Sequence, residues 1–362
     1  MKTAIVHEWL VEWAGSERVV AALVDLFPNA DVWALFDHLP PADRRALSRP
    51  VKTSWVQHLP QVYHYLPLLL PFLPSTVENY DLRAYDLIIS SHHALAHGVI
   101  TAPHQRHIVY SHSPMRAAWD LQHEYLATLP AFLRPAGAHM LHHLRQWDAL
   151  AGQRADEFVA NSHYVAARIQ KFYRRTARVI HPPVDLTNMS PATDKDDYYI
   201  TAGRLVPYKQ HARVIEAFKR LPHLRLVVAG DGPMRAPLEE LAAGAKNISI
   251  LGALDRPSLI HHLRLARGFI QAAVEDFGIL SVEALGCGTP VLAYAHGGAA
   301  DVVTSPAVGR LLTDRSPQAL AEAVDAFNDD RHTVSAEACR SRAEAFSPAV
   351  FQQQWLALVT QP

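Results

Sequence analysis

Short apolar runs alternate along the chain with stretches in which apolar residues recur every three or four positions. In the first half, TAIVHEW from residue 3, ADVWALF from 30, YDLIISS from 85, RHIVYSH from 106, DEFVANS from 156 and ARVIHPPV from 177 read as buried strands. Between the first two, Val19, Val20, Leu23, Val24 and Phe27 fall at helical spacing. Residues 186–197, LTNMSPATDKDD, are polar and aperiodic, which predicts a linker. A second series follows, with YYITAGRL, LRLVVAGDGP, ISILGAL, RGFIQAA and PVLAYA as strands and with PLEELAAG and QALAEAVDAFND as helices. Strand–helix alternation on this scale predicts parallel, doubly wound sheets. The expectation is an α/β chain of two Rossmann-like domains, residues 1–185 and 186–345, with a ligand cleft at the carboxyl ends of their strands. Residues 346–362 read as a C-terminal helix that packs back toward the first domain.

Composition narrows what such a chain does. Its 362 residues are 49% hydrophobic and 19% charged, a globular balance, and a formal net charge of −1 supplies no global field to recruit nucleic acid. Attraction to an anionic surface must therefore be local. Two cysteines, Cys287 and Cys339, are too few for a disulfide framework or a metal-ligand cluster and fit a reducing, cytoplasmic compartment. The start, MKTAIVHEWLVEW, carries acids early and predicts no signal peptide, and no apolar run reaches the length of a membrane span. The 22 histidines are scattered and follow neither HExxH nor a Cys/His ligand spacing, so no protein-bound metal is expected.

The candidate chemistry concentrates in EDFGILSVEALGCGTP, residues 275–290. Glu275 and Glu283 cannot share one helical face, because eight positions carry the chain about 80° past two turns. A helix that starts near Ile279, after Gly278, resolves this: Glu275 then hangs beyond the N-terminus and Glu283 points back from the second turn. Ile279, Val282, Ala284 and Leu285 suit the helix, and Gly286 and Gly288 suit its end. Its N-terminus would attract an anion. The alternative is a capped surface helix with solvated acids. Arg204 and Lys209, after the strand YYITAG, place two cations where a diphosphate could be neutralised, or form a solvated basic loop. Gly15, just before a helix, allows close backbone approach to a phosphate, and a tight turn explains it equally. His112 follows a strand that Pro114 stops, with Arg116 close behind, so its ring should reach the cleft rim, as a sugar or phosphate contact or as a structural histidine. AGDGP at 229–233 lacks the rest of a dinucleotide fingerprint, which disfavours a nicotinamide enzyme.

Taken together, WAGSERVV, YSHSPMRAAWD, ANSHYVAARI, VIHPPVD, GRLVPYK, GDGP and above all EDFGILSVEALGCGTPVLAYAHGGAADVV resemble glycosyltransferase family 4, retaining enzymes of the two-Rossmann GT-B architecture. HEWL, HSPMRAAWD and EDFGI are most similar to a bacterial subgroup that includes mannosyltransferases of O-antigen and exopolysaccharide assembly. The resemblance implies that Glu275 contacts the hydroxyls of a donor hexose and Glu283 the nucleotide ribose. It places the amides of Phe277, Gly278, Ile279 and Leu280 at the hexose and diphosphate, Arg204 and Lys209 at the departing nucleoside diphosphate, Gly15 beneath the β-phosphate and His112 near the hexose. The chain departs from the subgroup in having His97 in place of a lysine and Asp301 as the acid after its paired glycines.

The implied reaction is transfer of mannose from GDP-mannose, with retention and without a metal cofactor, to a saccharide or a polyprenyl-diphosphate-linked saccharide. A UDP-sugar donor, a GT-B sugar-nucleotide epimerase and an inactive scaffold of a polysaccharide assembly complex stay open. A lipid-linked acceptor would bring the protein to the inner membrane surface. YHYLPLLLPFLP, residues 63–74, is apolar, too short to span and, with its prolines, a poor helix. RRALSRPVK at 44–52 and RIQKFYRR at 168–175 supply cations for anionic head groups. The alternative is that the apolar run covers its own core and the cations are solvated.

Overall fold

The computed structural model describes residues 1–192, 194–330 and 333–361. It separates into two compact units, Met1–Pro183 with Gln352–Pro362, and Val184–Phe351.

The first unit is built on a seven-stranded parallel sheet. Its strands are β1 (Thr3–His7), β2 (Asp31–Ala34), β3 (Val51–Thr53), β4 (Leu87–His92), β5 (Arg106–Ser111), β6 (Glu157–Ala160) and β7 (Arg178–Val179), in the order β3-β2-β1-β4-β5-β6-β7. β1 pairs with β4 along its full length, from Thr3 opposite Leu87 to His7 opposite Ser91. Both are wholly buried, which is why neither shows the apolar–polar alternation of a half-exposed strand. The strand order reverses between β1 and β4, and ligands bind parallel sheets outside the carboxyl ends of the strands at such a reversal.

The second unit carries a six-stranded parallel sheet of β8 (Tyr199–Ala202), β9 (Leu226–Ala229), β10 (Ile248–Gly252), β11 (Gly268–Gln271), β12 (Val291–Tyr294) and β13 (Gly309–Leu312). Its order, β10-β9-β8-β11-β12-β13, puts the reversal between β8 and β11.

Two edge strands escaped the sequence reading. β3 is only VKT, and Lys52 turns outward to Asp31 and the Tyr85 hydroxyl, so no apolar run marks it. β13 begins at Gly309, where φ is +152° and a Cβ would lie 2.0 Å from the Val291 carbonyl oxygen. Only glycine lets this edge dock on β12.

The segment read as a linker is stitched to the second unit. Leu186 and Met189 join its core, and the Arg340 guanidinium donates to the carbonyls of Leu186, Met189 and Gly286. Two apolar residues three apart in a polar run show no periodicity, so this anchoring is not legible in the sequence. The run at 63–74 also differs from expectation, because it is helical at Val62–Leu69 and helical again from Leu73 to Glu78. Pro67 sits in the second turn, where it removes one amide hydrogen bond, and Pro74 lies in a first turn whose amides have no helical partner. The final helix, Pro348–Val359, buries Trp355 with its ring centroid 6.1 Å from that of Tyr110. Arg106 closes its end by donating to the carbonyls of Leu358, Val359 and Gln361.

Candidate active site

In the second unit the candidate residues leave the two strands that flank the reversal. β8 passes through Gly203 into Arg204 and a single 3-10 turn, Pro207–Lys209. Arg204 is exposed, with a guanidinium nitrogen 3.5 Å from the Tyr208 hydroxyl. Lys209 Nζ lies 2.5 Å from Glu275 Oε1, in the loop after β11, and the two side chains are 19% and 22% exposed.

The loop ends at Gly278, whose φ of +91° starts the helix Ile279–Gly286. A Cβ there would stand 2.8 Å from Gln271 Oε1, the atom that accepts from the Ser281 hydroxyl at 2.5 Å. The helix therefore starts where the sequence placed it, at a residue that must be glycine. Gly278 has no side chain with which to cap this N-terminus, where the helix amides and dipole favour an anion. Phe277 is buried against Phe346. Gly297 and Gly298 pack beneath the loop: a Cβ on Gly298 would come 2.4 Å from the Phe277 Cα, and the Gly298 amide donates to the Glu275 carbonyl.

Glu283 points back from the second helical turn and is almost wholly buried. The Arg256 guanidinium grips it as a fork, at 2.6 and 2.7 Å. Arg256 is the first residue of the helix Arg256–Leu265, whose N-cap Asp255 accepts from the Ser258 amide. Sequence reasoning missed Arg256. The available signal was the capping pattern DRPS after a strand, which starts a helix at the carboxyl edge of the sheet.

In the first unit Gly15 opens the helix Gly15–Leu26, and Glu17 occupies that N-terminus. Its Oε2 accepts from the Ala14 amide at 3.1 Å and the Ser16 hydroxyl at 2.9 Å, while Oε1 lies 3.3 Å from His7 Nε2. Burial alone would raise the Glu17 pKa, but the His7 contact and charge overcome it and hold the carboxyl near about 2.

His112 follows β5, and its backbone is fixed on both sides. Its amide donates to the His92 carbonyl and its own carbonyl accepts from Asn161. Nε2 lies 2.9 Å from Ser91 Oγ. Burial, followed by the nearby His93 and His7, pushes the His112 pKa well below the usual histidine value.

Histidines scattered in the sequence thus converge at the carboxyl ends of β1, β4 and β5. The ring centroids of His7 and His93 are 5.9 Å apart, and those of His93 and His112 are 6.3 Å apart. Deeper in, His92, His97 and Asp148 place nitrogen and carboxylate oxygen atoms within 4.8 Å of one another. His92 Nε2 meets the Tyr173 hydroxyl, His97 Nε2 meets the Asp148 carbonyl and carboxylate, and Trp119 donates to Asp148. Those contacts form a core network around His97. Burial raises the Asp148 pKa to about 6 and lowers that of His97.

The family model described as Glycosyltransferase Family 4 matches residues 13–188, and the model described as Glycosyl transferases group 1 matches residues 187–346. The chain belongs to glycosyltransferase family 4. A GDP-mannose-dependent monoacylated alpha-(1-6)-phosphatidylinositol monomannoside mannosyltransferase of Corynebacterium glutamicum is 29% identical to this family 4 chain over 240 residues, which cover 58% of the chain and 63% of the relative. A D-inositol 3-phosphate glycosyltransferase of Geodermatophilus obscurus is 33% identical over 225 residues, covering 53% and 50%. The chain thus matches about half to two thirds of the length of these curated relatives. Among solved structures, HepE of Anabaena in complex with UDP aligns over the whole of both chains, with a TM-score of 0.70 and 18% identity. Sucrose-phosphate synthase of Thermosynechococcus elongatus aligns over 100% and 99%, with a TM-score of 0.75 and 17% identity. These likenesses establish the GT-B fold for the family 4 chain.

Proposed function

We propose that the protein transfers a hexose, mannose from GDP-mannose, to a saccharide or lipid-linked saccharide with retention of configuration in the synthesis of a bacterial surface polysaccharide. The observation that carries this reading is the Lys209–Glu275 pair set beside the glycine-initiated N-terminus of the helix Ile279–Gly286. A cation, a carboxylate and a helix dipole at one reversal point can receive a diphosphate and the sugar attached to it. Glu275 takes the hexose hydroxyls and Glu283 the ribose, with Arg256 holding Glu283 in place. Lys209 and Arg204 stabilise the nucleoside diphosphate as it departs, in place of a metal.

GDP-mannose is favoured as donor by the GDP-mannose dependence of the Corynebacterium relative, and a UDP-sugar is the second reading because HepE was solved with UDP. Docking at an anionic membrane surface belongs to the same proposal. Leu68 and Phe72 are 73% and 59% exposed, with Tyr63 and Tyr65 half exposed beside them. Among the described residues no helix is long and apolar enough to cross a membrane.

A panel of GDP- and UDP-sugars tests the reading by thermal shift, followed by assay of transfer to sugar acceptors. A donor present at a hundred times its Kd adds about 2.7 kcal/mol of stability. GDP-mannose should shift unfolding and be consumed faster when an acceptor is added. If no nucleotide sugar shifts or turns over, the proposal fails.

A further inference from the structure

The helix Arg134–Arg154 turns the three histidines of the run HMLHH, residues 139–143, to the outside of the first unit. Its inner face is drawn by Gly137, Leu141, Leu144, Asp148 and Ala151, buried and spaced three and four apart. His139 and His143 stand two positions to either side of Leu141, about 200° round the helix from it, and both are exposed. Four positions apart, they lie one above the other on that outer face. Their Nε2 atoms are 3.1 Å apart, and their ring centroids are 4.5 Å apart with the planes at 87°.

That geometry is the bite of a metal chelate. Zinc holds a histidine nitrogen at about 2.0–2.1 Å, so one ion touching both Nε2 atoms at their present separation would see them at an angle of about 98°, between a right angle and the tetrahedral value. Two rings radiating from an ion at that angle have centres about 4.8 Å apart, close to the separation found. The buried group of His92, His97 and Asp148 fails the same test. The centroids of its two rings are 3.8 Å apart, too close for both rings to point at one ion unless the packed core around them moves. In the ligand-free pair a single N–H···N bond can join His139 to His143. An ion takes a lone pair from each Nε2 instead, and the hydrogen between them passes through water to an Nδ1. Both rings are exposed, so no donor is stranded without a partner.

We propose that His139 and His143 form a chelating site for a divalent transition-metal ion, with water in its remaining positions. Imidazole suits copper, nickel and zinc, whereas magnesium and calcium take oxygen ligands. Two ligands on one helix face impose little geometry of their own, so affinity should follow the intrinsic order of the metals and peak at Cu2+. The run has neither the glutamate of HExxH nor a cysteine, and ligand motifs pass over it for that reason. Neither histidine is among the residues assigned to the sugar donor, so this site and the transfer reading stand or fall separately.

Isothermal titration calorimetry of the full chain without an affinity tag, using Cu2+, Zn2+ and Mg2+ in turn at neutral pH, tests the site. Both cysteines are buried and do not compete for the ion. One Cu2+ should bind more tightly than any further equivalent, Zn2+ should bind more weakly at the same place, and Mg2+ should not bind. His139→Ala and His143→Ala should each weaken the tightest Cu2+ binding by at least about tenfold, because losing one arm ends the intramolecular second contact. His142→Ala should leave it unchanged, since the His142 Nε2 turns to the Gln146 side chain instead. All three side chains are exposed, so the variants should fold as the wild type does. Electron paramagnetic resonance of the complex with one equivalent of Cu2+ should count two imidazole nitrogens in the wild type and one in His143→Ala. A tightest Cu2+ site that survives undiminished in His143→Ala overturns the proposal. So does a loss in His142→Ala as large as that in His143→Ala.

Discussion

Replacing Glu8 by glutamine should cripple the first unit although it removes only a charge. The Glu8 carboxylate is completely buried and accepts from the amides of His93, Ala94, Leu95 and Ala96 at 2.8–3.1 Å, with His92 Nδ1 at 3.5 Å. Burial alone would raise its pKa, but the His92 bond, the His93 and His92 charges and the Ala96 amide outweigh it and hold the carboxyl far below the usual range. Glutamine keeps one acceptor oxygen and turns an NH2 toward amides that now meet the second, those of Leu95 and Ala96. The same two amides also reach the other oxygen, at 2.8 and 3.0 Å, so the substitution halves two shared bonds rather than removing them, a loss on the scale of one hydrogen bond to a charged group, about 1.5–3 kcal/mol, to which the NH2 facing their hydrogens adds. A domain holds only about 5–15 kcal/mol in total, so such a loss is severe. Urea unfolding monitored in the first unit should show the midpoint displaced with an unchanged slope. The sign in pH is fixed too. A carboxyl whose folded pKa is depressed contributes its full stability above the unfolded value of about 4.3 and loses it as pH falls further, so acid should narrow the gap between wild type and Glu8→Gln. A variant within about 1 kcal/mol of wild type at neutral pH, short of one hydrogen bond to a charged group, would falsify this account of the loop.

Three further outcomes follow. Lys209→Ala should lower kcat about 10²–10³-fold, the loss typical of one preorganised charge-stabilising donor, while wild-type transfer survives excess EDTA; reversible loss of activity on chelation would contradict a metal-free site. Arg256→Met takes the guanidinium fork from the buried Glu283 carboxylate and should cost about 3 kcal/mol in denaturant unfolding, the low end for breaking a buried pair because the arginine is partly solvated, and Arg256→Met with Glu283→Met should recover most of it. Leu68→Asp with Phe72→Asp should abolish flotation with anionic liposomes at low salt and leave the unfolding temperature unchanged, because both side chains are exposed; a wild type that stays at the bottom of the gradient ends the membrane reading.

The cations once assigned to that membrane contact fare unevenly. Arg168 is buried against Asp120, Arg44 pairs with Asp37, and Arg175 donates to carbonyls at the end of the helix Arg134–Arg154. Arg45, Lys171 and Arg174 are exposed. Sequence runs of cations do not reveal which of them the fold has already used. The same limit governs the active site. The helix start at Gly278 was legible because a positive-φ glycine followed by apolar spacing is a local signal. Buried central strands were legible because both faces are covered, and β3 and β13 were not, being short edges with few apolar residues. The partners of Glu283 and His112 come from elsewhere in the chain. Arg256 is 27 residues from Glu283, and Ser91 is 21 residues from His112. Only the sheet order, with β4 beside β5 and β8 beside β11, brings such residues together.

The Lys209–Glu275 pair shows how one arrangement can serve binding and transfer differently. Without ligand, each group satisfies the other at 2.5 Å, and both are only about a fifth exposed. Under the proposed reaction a donor must split this pair, giving the carboxylate to sugar hydroxyls and the ammonium to the diphosphate. In the ground state, what Lys209 gains from the diphosphate is offset by what it loses from Glu275. As the glycosidic bond breaks, negative charge gathers on the leaving diphosphate, and the attraction grows with no further cost at Glu275. Interactions that strengthen only toward the transition state raise kcat, whereas those already present in the bound complex do not. Lys209→Ala should consequently reduce kcat far more than it raises KM, and a change confined to KM would place Lys209 in uniform donor binding instead.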